Sequence, residues 1–325
     1  MALKDVIILK GGDYMQSMQY NRLFYLFVAI LSWGMSIHDG QAQETNQDLR
    51  NAGYTRPGTV EDLIKIRCGL KGQDAWTLWT GEIYSYVPKE RQKKLFTVVG
   101  ANVARCQKLA DGSWYFTSRE LQYYLDPKTG QRLDQWKNPW TQKVVPVMHV
   151  ANDLVQGKLN YKPDLTIDPP FVTLRMPINL FYPNRLAKKP DLKPFGSYQM
   201  YQAGEFFGLL SPLKDLKDPN IAQAAMSLTW TRIGPWLPWM DMEEQEGYLV
   251  YSADGSKLKS FTELPAWLQK EIKTHLPRYE HAPTCLLDRR NTSSWTYFDQ
   301  NFEAYKQKKR FPLAAPVVKE KCREK

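Results

Sequence analysis

The chain has 325 residues, of which 43% are hydrophobic, 24% charged and 13% aromatic, a globular composition with room for one large domain or two small ones. A net charge of +10 could point to nucleic acid or an anionic membrane, but no basic motif accompanies it. Much of the excess lies between Lys306 and Lys325, where it reads as a solvated tail, and nucleic acid is set aside as a partner.

The first segment is unlike the rest. Leu23 to Ile37 is an uncharged apolar run preceded by Arg22 and followed by the small-x-small pattern Gly40-Gln41-Ala42, the layout of a cleaved secretory signal peptide. The run is shorter than the roughly 20 residues of a spanning helix, so no stable membrane insertion is expected after cleavage behind Ala42. An uncleaved N-terminal anchor is the alternative. Residues 1–42 carry three basic and three acidic side chains, so the remaining chain keeps the full positive charge. This address is periplasmic or secreted. An exported chain can oxidise its four cysteines, all beyond residue 42; three connectivities are open, with Cys68–Cys106 and Cys285–Cys322 preferred.

Residues 43–58 read as an extended polar lead into a single β-rich domain over 59–312, with a basic tail over 313–325. Thr59 and Asp62 have the spacing of a cap for a short helix, with a strand expected to carry the chain on to Cys68. From Ala75 onward three runs rich in β-branched and aromatic residues, separated by turn residues that include Asp111-Gly112, predict an antiparallel meander. Strands follow at Lys143 to Val150 and Phe171 to Phe181. The Pro-, Gly- and Lys-rich stretch from Tyr182 to Lys217 predicts a long loop or lid. Ser211-Pro212 and Asp218-Pro219 read as helix starts, and Ala253-Asp254-Gly255 as a turn closing a strand. Leu264, Trp267, Leu268 and Ile272 recur at helical spacing, as do Trp295, Phe298, Phe302 and Tyr305. Many strands with late helices predict a mainly β fold, an antiparallel barrel or sandwich decorated by a few helices.

The most concentrated stretch is SLTWTRIGPWLPWMDM, Ser227 to Met242, with three of the eleven tryptophans. Strand alternation puts Leu228, Trp230 and Arg232 on one face and Thr229, Thr231 and Ile233 on the other, while the prolines carry Trp236 and Trp239 into a loop. Arg232 and at least one of these tryptophans are therefore expected to line the main cavity.

Other candidates are chemical singletons. His149, four residues before Asp153, could form an acid–base pair in which the carboxylate orients the imidazole; His281 is a second candidate, and a histidine bonded to backbone at a strand end or in a loop is the plain alternative for both. Arg105, Arg119 and Arg232 either join ion pairs, with Glu120 and Asp153 as available partners, or hold a ligand's negative charge. Asn102, Tyr123 and Tyr297 could add hydrogen bonds in the same cavity. No HExxH or HxxxH spacing calls for a metal, and no GxSxG, P-loop or GxGxxG motif calls for a nucleotide or other cofactor.

The runs GANVAR from Gly100, SRELQYYLDPKTG from Ser118, NPWT from Asn138, HVAND from His149 and SWTYF from Ser294 resemble the bacterial family catalogued as domain of unknown function 1838. TWTRIGPWLPWM, followed by GYLVYSADGSKL, is similar to its most recognisable segment. The resemblance covers roughly Ile64 to Tyr305. It implies a β-rich, lipocalin-like barrel and transfers no catalytic residues. Two functions are expected from these residues: a binding protein taking a hydrophobic or aromatic small molecule into a Trp/Arg-lined cavity, or a cofactor-independent lyase, isomerase, hydratase or hydrolase working through His149 and Asp153 with arginine stabilising an anion. A purely structural or interaction role is the third reading.

Overall fold

The computed structural model describes residues 55–159, 161–243, 245–314 and 320–323. The segment expected to be a signal peptide, and most of the expected extended lead and basic tail, lie outside the described residues. Arg56–Lys325 cluster as one compact unit.

A short strand, β1 (Thr55–Pro57), precedes helix α1 (Val60–Arg67). The helix begins with the capping box read from the sequence: Thr59 Oγ1 accepts from the Asp62 amide at 3.0 Å, and Asp62 returns a bond to the Thr59 amide at 2.8 Å. The meander follows as β2 (Ala75–Tyr86), β3 (Lys93–Lys108) and β4 (Trp114–Leu125), with Gly112 at φ +83° in the β3–β4 turn. Next come β5 (Gln135–Lys137), β6 (Val144–Pro146), β7 (Val150–Leu159), β8 (Asp164–Asp168), β9 (Phe171–Pro183) and β10 (Met200–Pro212). After α2 (Leu213–Lys217) the chain adds β11 (Ser227–Gly234) and β12 (Tyr248–Leu258), and it ends in α3 (Ala266–His275), α4 (Ser294–Gln300) and α5 (Phe302–Lys306).

Ten strands form one sheet in the order β1-β8-β9-β10-β11-β12-β2-β3-β4-β7; β5 and β6 pair separately. The long pairings are all antiparallel. Between Leu159 on β7, one edge, and Asp164 on β8, beside the other, lie only five residue steps, a reach of roughly 18 Å. Laid flat, β8 and β7 would stand about 38 Å apart, roughly twice that reach, so the sheet has to curl until its margins approach. The fold is thus mainly β, an antiparallel half-barrel with a few short helices. The β7 margin is covered by the C-terminal segment: the Thr292 amide donates to Leu154 O at 2.8 Å, and the Gln156 amide to Asn291 Oδ1 at 3.0 Å.

The concave face is filled at both ends and open between. At one end Phe96, Tyr124, Trp136 and Trp239 interlock with Trp295 and Phe298 of α4. At the other, α1 inserts Leu63, Ile64 and Ile66 among Leu174, Leu209 and Leu228, tied to β3 by the Cys68–Cys106 disulfide. The Lys65 ammonium caps α2, donating to Leu216 O at 3.1 Å and Asp218 O at 2.7 Å. On the convex face α3 lays Leu268 and Ile272 over Ala101, Val103, Leu121 and Tyr123. Cys285 pairs with Cys322.

Three local readings need correction. The stretch read as a lid contains β10, whose alternating Tyr201, Ala203, Glu205, Phe207 and Leu209 were hidden by its glycines and by the prolines before it. Ala253-Asp254-Gly255 is mid-strand: a side chain at Gly255 would meet Leu78 O and Trp79, so this glycine permits close strand approach rather than a turn. Asp218-Pro219 starts no helix; Asp218 Oδ1 accepts from the Asn220 amide at 2.8 Å and forms a local turn.

Candidate functional site

Between the two packed ends the half-barrel holds a partly open cavity of about 630 Å³. Its floor depends on glycine. A Cβ at Gly100 would overlap the Trp79 indole, which lies flat across the sheet there and donates to Gln122 Oε1 at 2.9 Å. Trp79 meets Trp230 edge-on with centroids 6.3 Å apart, and Trp230 stacks on Phe207 at 6.2 Å and tilts against Tyr251 at 5.5 Å. The strand register produces this arrangement: Phe207 and Trp230 are direct partners across β10 and β11, and Glu205, Arg232 and Tyr251 form the next row of the same face.

Arg232 is buried and its guanidinium is only partly engaged. One Nη donates to the Tyr201 hydroxyl at 2.6 Å, Nε stands 3.5 Å from Glu205, and the group lies 5.0 Å from the Tyr251 ring centroid. The other Nη and the Trp230 indole N–H have no hydrogen-bond partner among the described residues. Burial opposes the Arg232 charge, and the oxygens of Tyr201, Tyr251 and Glu205 outweigh it, holding the group above its ordinary value. Burial in turn pushes the Glu205 carboxyl up, against the pull of Arg232. Farther along the wall Asn102 and Asn152 direct their amides to Glu120, at 3.5 and 3.1 Å, and burial pushes that carboxyl up too. The walls therefore carry two guanidinium groups, Arg67 and Arg232, and two carboxyls, Glu120 and Glu205, in a lining that is otherwise uncharged and mostly apolar by area.

Of the residues singled out from the sequence, Asn102, Trp230 and Arg232 line this cavity. The others do not, and strand parity accounts for most of them. On β4, Glu120, Gln122 and Tyr124 point inward, so Arg119 and Tyr123 face outward. Arg119 pairs with Asp153 at 2.9 Å and with Glu320, and donates to His281 O at 2.6 Å. Tyr123 packs against Trp267 of α3. Arg105, outward on β3, clasps Asp74 at 2.8 Å. Trp236 bonds Gln245 O and borders a smaller pocket of about 170 Å³, and Trp239 is sealed in the core at 2% exposure. Tyr297 accepts the Leu313 amide at 3.0 Å.

The histidines are not brought to the cavity either. His149 is buried, with Nδ1 accepting from the Tyr124 amide at 3.1 Å and the Arg132 Nε–H directed at Nε2 from 3.2 Å. A neutral ring has one lone pair to offer these two donors, and a protonated ring has none. Burial, with Arg132 and Arg310 nearby, holds its pKa well below the ordinary value. Asp153 is engaged instead by Arg119, Arg278 and Arg289. The expected His149–Asp153 pair is thus not formed; the β4–β7 bulge at Ser118/Arg119 turns Asp153 to the outer arginines. His281 is largely exposed, its ring 2.8 Å from Asp74.

The cavity residues that sequence reading missed are Arg67, Trp79, Glu120, Tyr201, Glu205 and Tyr251. Glu205 and Tyr201 were legible in the β10 alternation. Arg67 lies where a strand to Cys68 was expected and the helix instead continues, and it carried no signal of which way it would face.

No curated protein matches this chain. The family described as Protein of unknown function (DUF1838) matches residues 72–302, a span from just before β2 to the start of α5 that includes every cavity strand, and the chain belongs to that family.

Proposed function

We propose that this protein binds a hydrophobic or aromatic small molecule within the half-barrel, with Arg232 orienting the ligand's polar end. The observation that carries this reading is the pair of unpartnered donors, one Arg232 Nη and the Trp230 indole N–H, at the wall of a cavity of about 630 Å³. Buried donors left without acceptors are destabilising by about 1–3 kcal/mol each, which a ligand's oxygen atoms relieve. The volume lies within the range of small-molecule sites, and the lining is apolar with a few convergent polar groups. Two disulfides suit an oxidising compartment, and among the described residues no helix is long and apolar enough to cross a membrane; we read the protein as periplasmic or secreted.

Tryptophan fluorescence tests the reading, because Trp79 and Trp230 both border the site. Titration with naphthoate and with dodecanoate is expected to give saturable one-to-one changes, weakened about tenfold or more in Arg232→Met. No saturable change with either compound refutes it.

A further inference from the structure

A second polar cluster lies in the same cavity, away from Arg232. By register Glu120 is level with Asn102, Thr77 and Lys257, whereas Arg232 is level with Tyr251, six positions earlier on β12. Arg67 reaches this cluster from the last turn of α1. Its guanidinium lies 4.3 Å from the Phe116 ring centroid, its Nε has no hydrogen-bond partner, and among the described residues it makes no ion pair. Glu120 is near enough to favour the Arg67 charge without touching it, and Asn152, buried and bonded to Glu120 through its nitrogen, leaves Oδ1 without a donor.

An arginine and a carboxyl that share one cavity normally close into a bidentate pair. Here they are held apart, and the gap offers a donor on one side and two acceptors on the other. A ligand carboxylate would satisfy Arg67 but has no proton to give the Asn152 oxygen. An ammonium would face Arg67, and an apolar group would leave all three unsatisfied. A hydroxyl both accepts and donates. The Arg232 end differs: its two free groups are both donors, and Glu205 lies beyond Nε with burial favouring its protonated, donating form. Between the ends the wall is apolar, with Met176, Leu209, Met226 and Leu228.

Building on the binding reading above, we infer that the ligand is a hydroxycarboxylic acid. Its carboxylate docks on Arg232 and Trp230, and its hydroxyl, at the far end of an apolar body, accepts from Arg67 and gives its one proton to Asn152 Oδ1 or to Glu120.

The test titrates the full disulfide-bonded chain with the straight-chain alkanoates from octanoate to hexadecanoate and with the ω-hydroxy derivative of each. At the best-fitting length the hydroxy acid is expected to bind about tenfold to a hundredfold more tightly than its parent, the gain of a hydrogen bond to a charged group. Arg67→Met and Glu120→Leu should each bring the hydroxy acid and its parent to within about twofold of each other. Because Arg67 adjoins Cys68, Glu120→Leu serves alone if Arg67→Met misfolds by near-ultraviolet circular dichroism. Parents that bind saturably while no hydroxy acid gains affinity overturn this inference and leave the cavity reading intact; no saturable binding in either series overturns both.

Discussion

Lowering the pH across the titration range of an ordinary imidazole, in the wild type and in His149→Asn, tests whether His149 is locked neutral in the core. Its ring is 1% exposed, Nδ1 accepts the Tyr124 amide, and the positive charges of Arg132 and Arg310 lie nearby. An added proton would lose that bond and stand against two cations in a desolvated site. The folded pKa is therefore depressed, and an unfolded His149 titrates near about pH 6.5. Below that pH the unfolded chain binds a proton that the folded chain refuses, so the contribution is full above about pH 6.5 and is lost as the pH falls. The slope approaches about 1.4 kcal/mol per pH unit, or at most about 3 kcal/mol over the first two units, against a total stability of about 5–15 kcal/mol. Glu120 and Glu205 act with the opposite sign: their raised folded pKa values make the folded chain bind protons first as the pH falls. Hence the wild-type profile alone is not diagnostic. Asparagine places an oxygen near the Nδ1 position and removes the titration, while the carboxyl contributions cancel in the comparison. Urea denaturation followed by tryptophan fluorescence, from about pH 7.5 to about pH 4.5, should show the wild-type advantage over His149→Asn shrinking by about 1.4 kcal/mol per unit below about pH 6.5. A pH-independent difference would refute the reasoning, since it would mean that the folded imidazole titrates normally and is available for proton transfer.

Gly100→Ala should destabilise the fold by about 1–3 kcal/mol in urea, because the new methyl overlaps the Trp79 indole held by Gln122; unchanged stability would show that the indole does not need the glycine floor. Cys322→Ser opens a bridge spanning 37 residues and loosens Glu320 from Arg119 and Arg278, which should lower stability by about 2–4 kcal/mol in thermal denaturation. A loss under about 1 kcal/mol would mean that the C-terminal segment is held without the disulfide.

Local chemistry was readable from the residues themselves. The Thr59–Asp62 cap, the Asp111-Gly112 hairpin, the meander and the late helices needed only near neighbours or short-range pattern, and alternation put Trp230 and Arg232 on one face of β11; among the three connectivities the sequence left open, the structure holds the preferred one. The cavity itself was not readable, because it exists only where strands distant in sequence come into register. Glu205 meets Arg232 across 27 positions, and Arg67 faces Glu120 only once α1 has entered the end of the curled sheet. Parity relative to a concave face decided the rest: Arg105, Arg119 and Tyr123 had the chemistry of site residues but the wrong phase, and a period-2 strand gives no second chance to a side chain pointing outward. His149 was equally ambiguous in isolation. Burial between the Tyr124 amide and Arg132, contacts that require β4 and the following loop to pack around it, disfavours its protonated form.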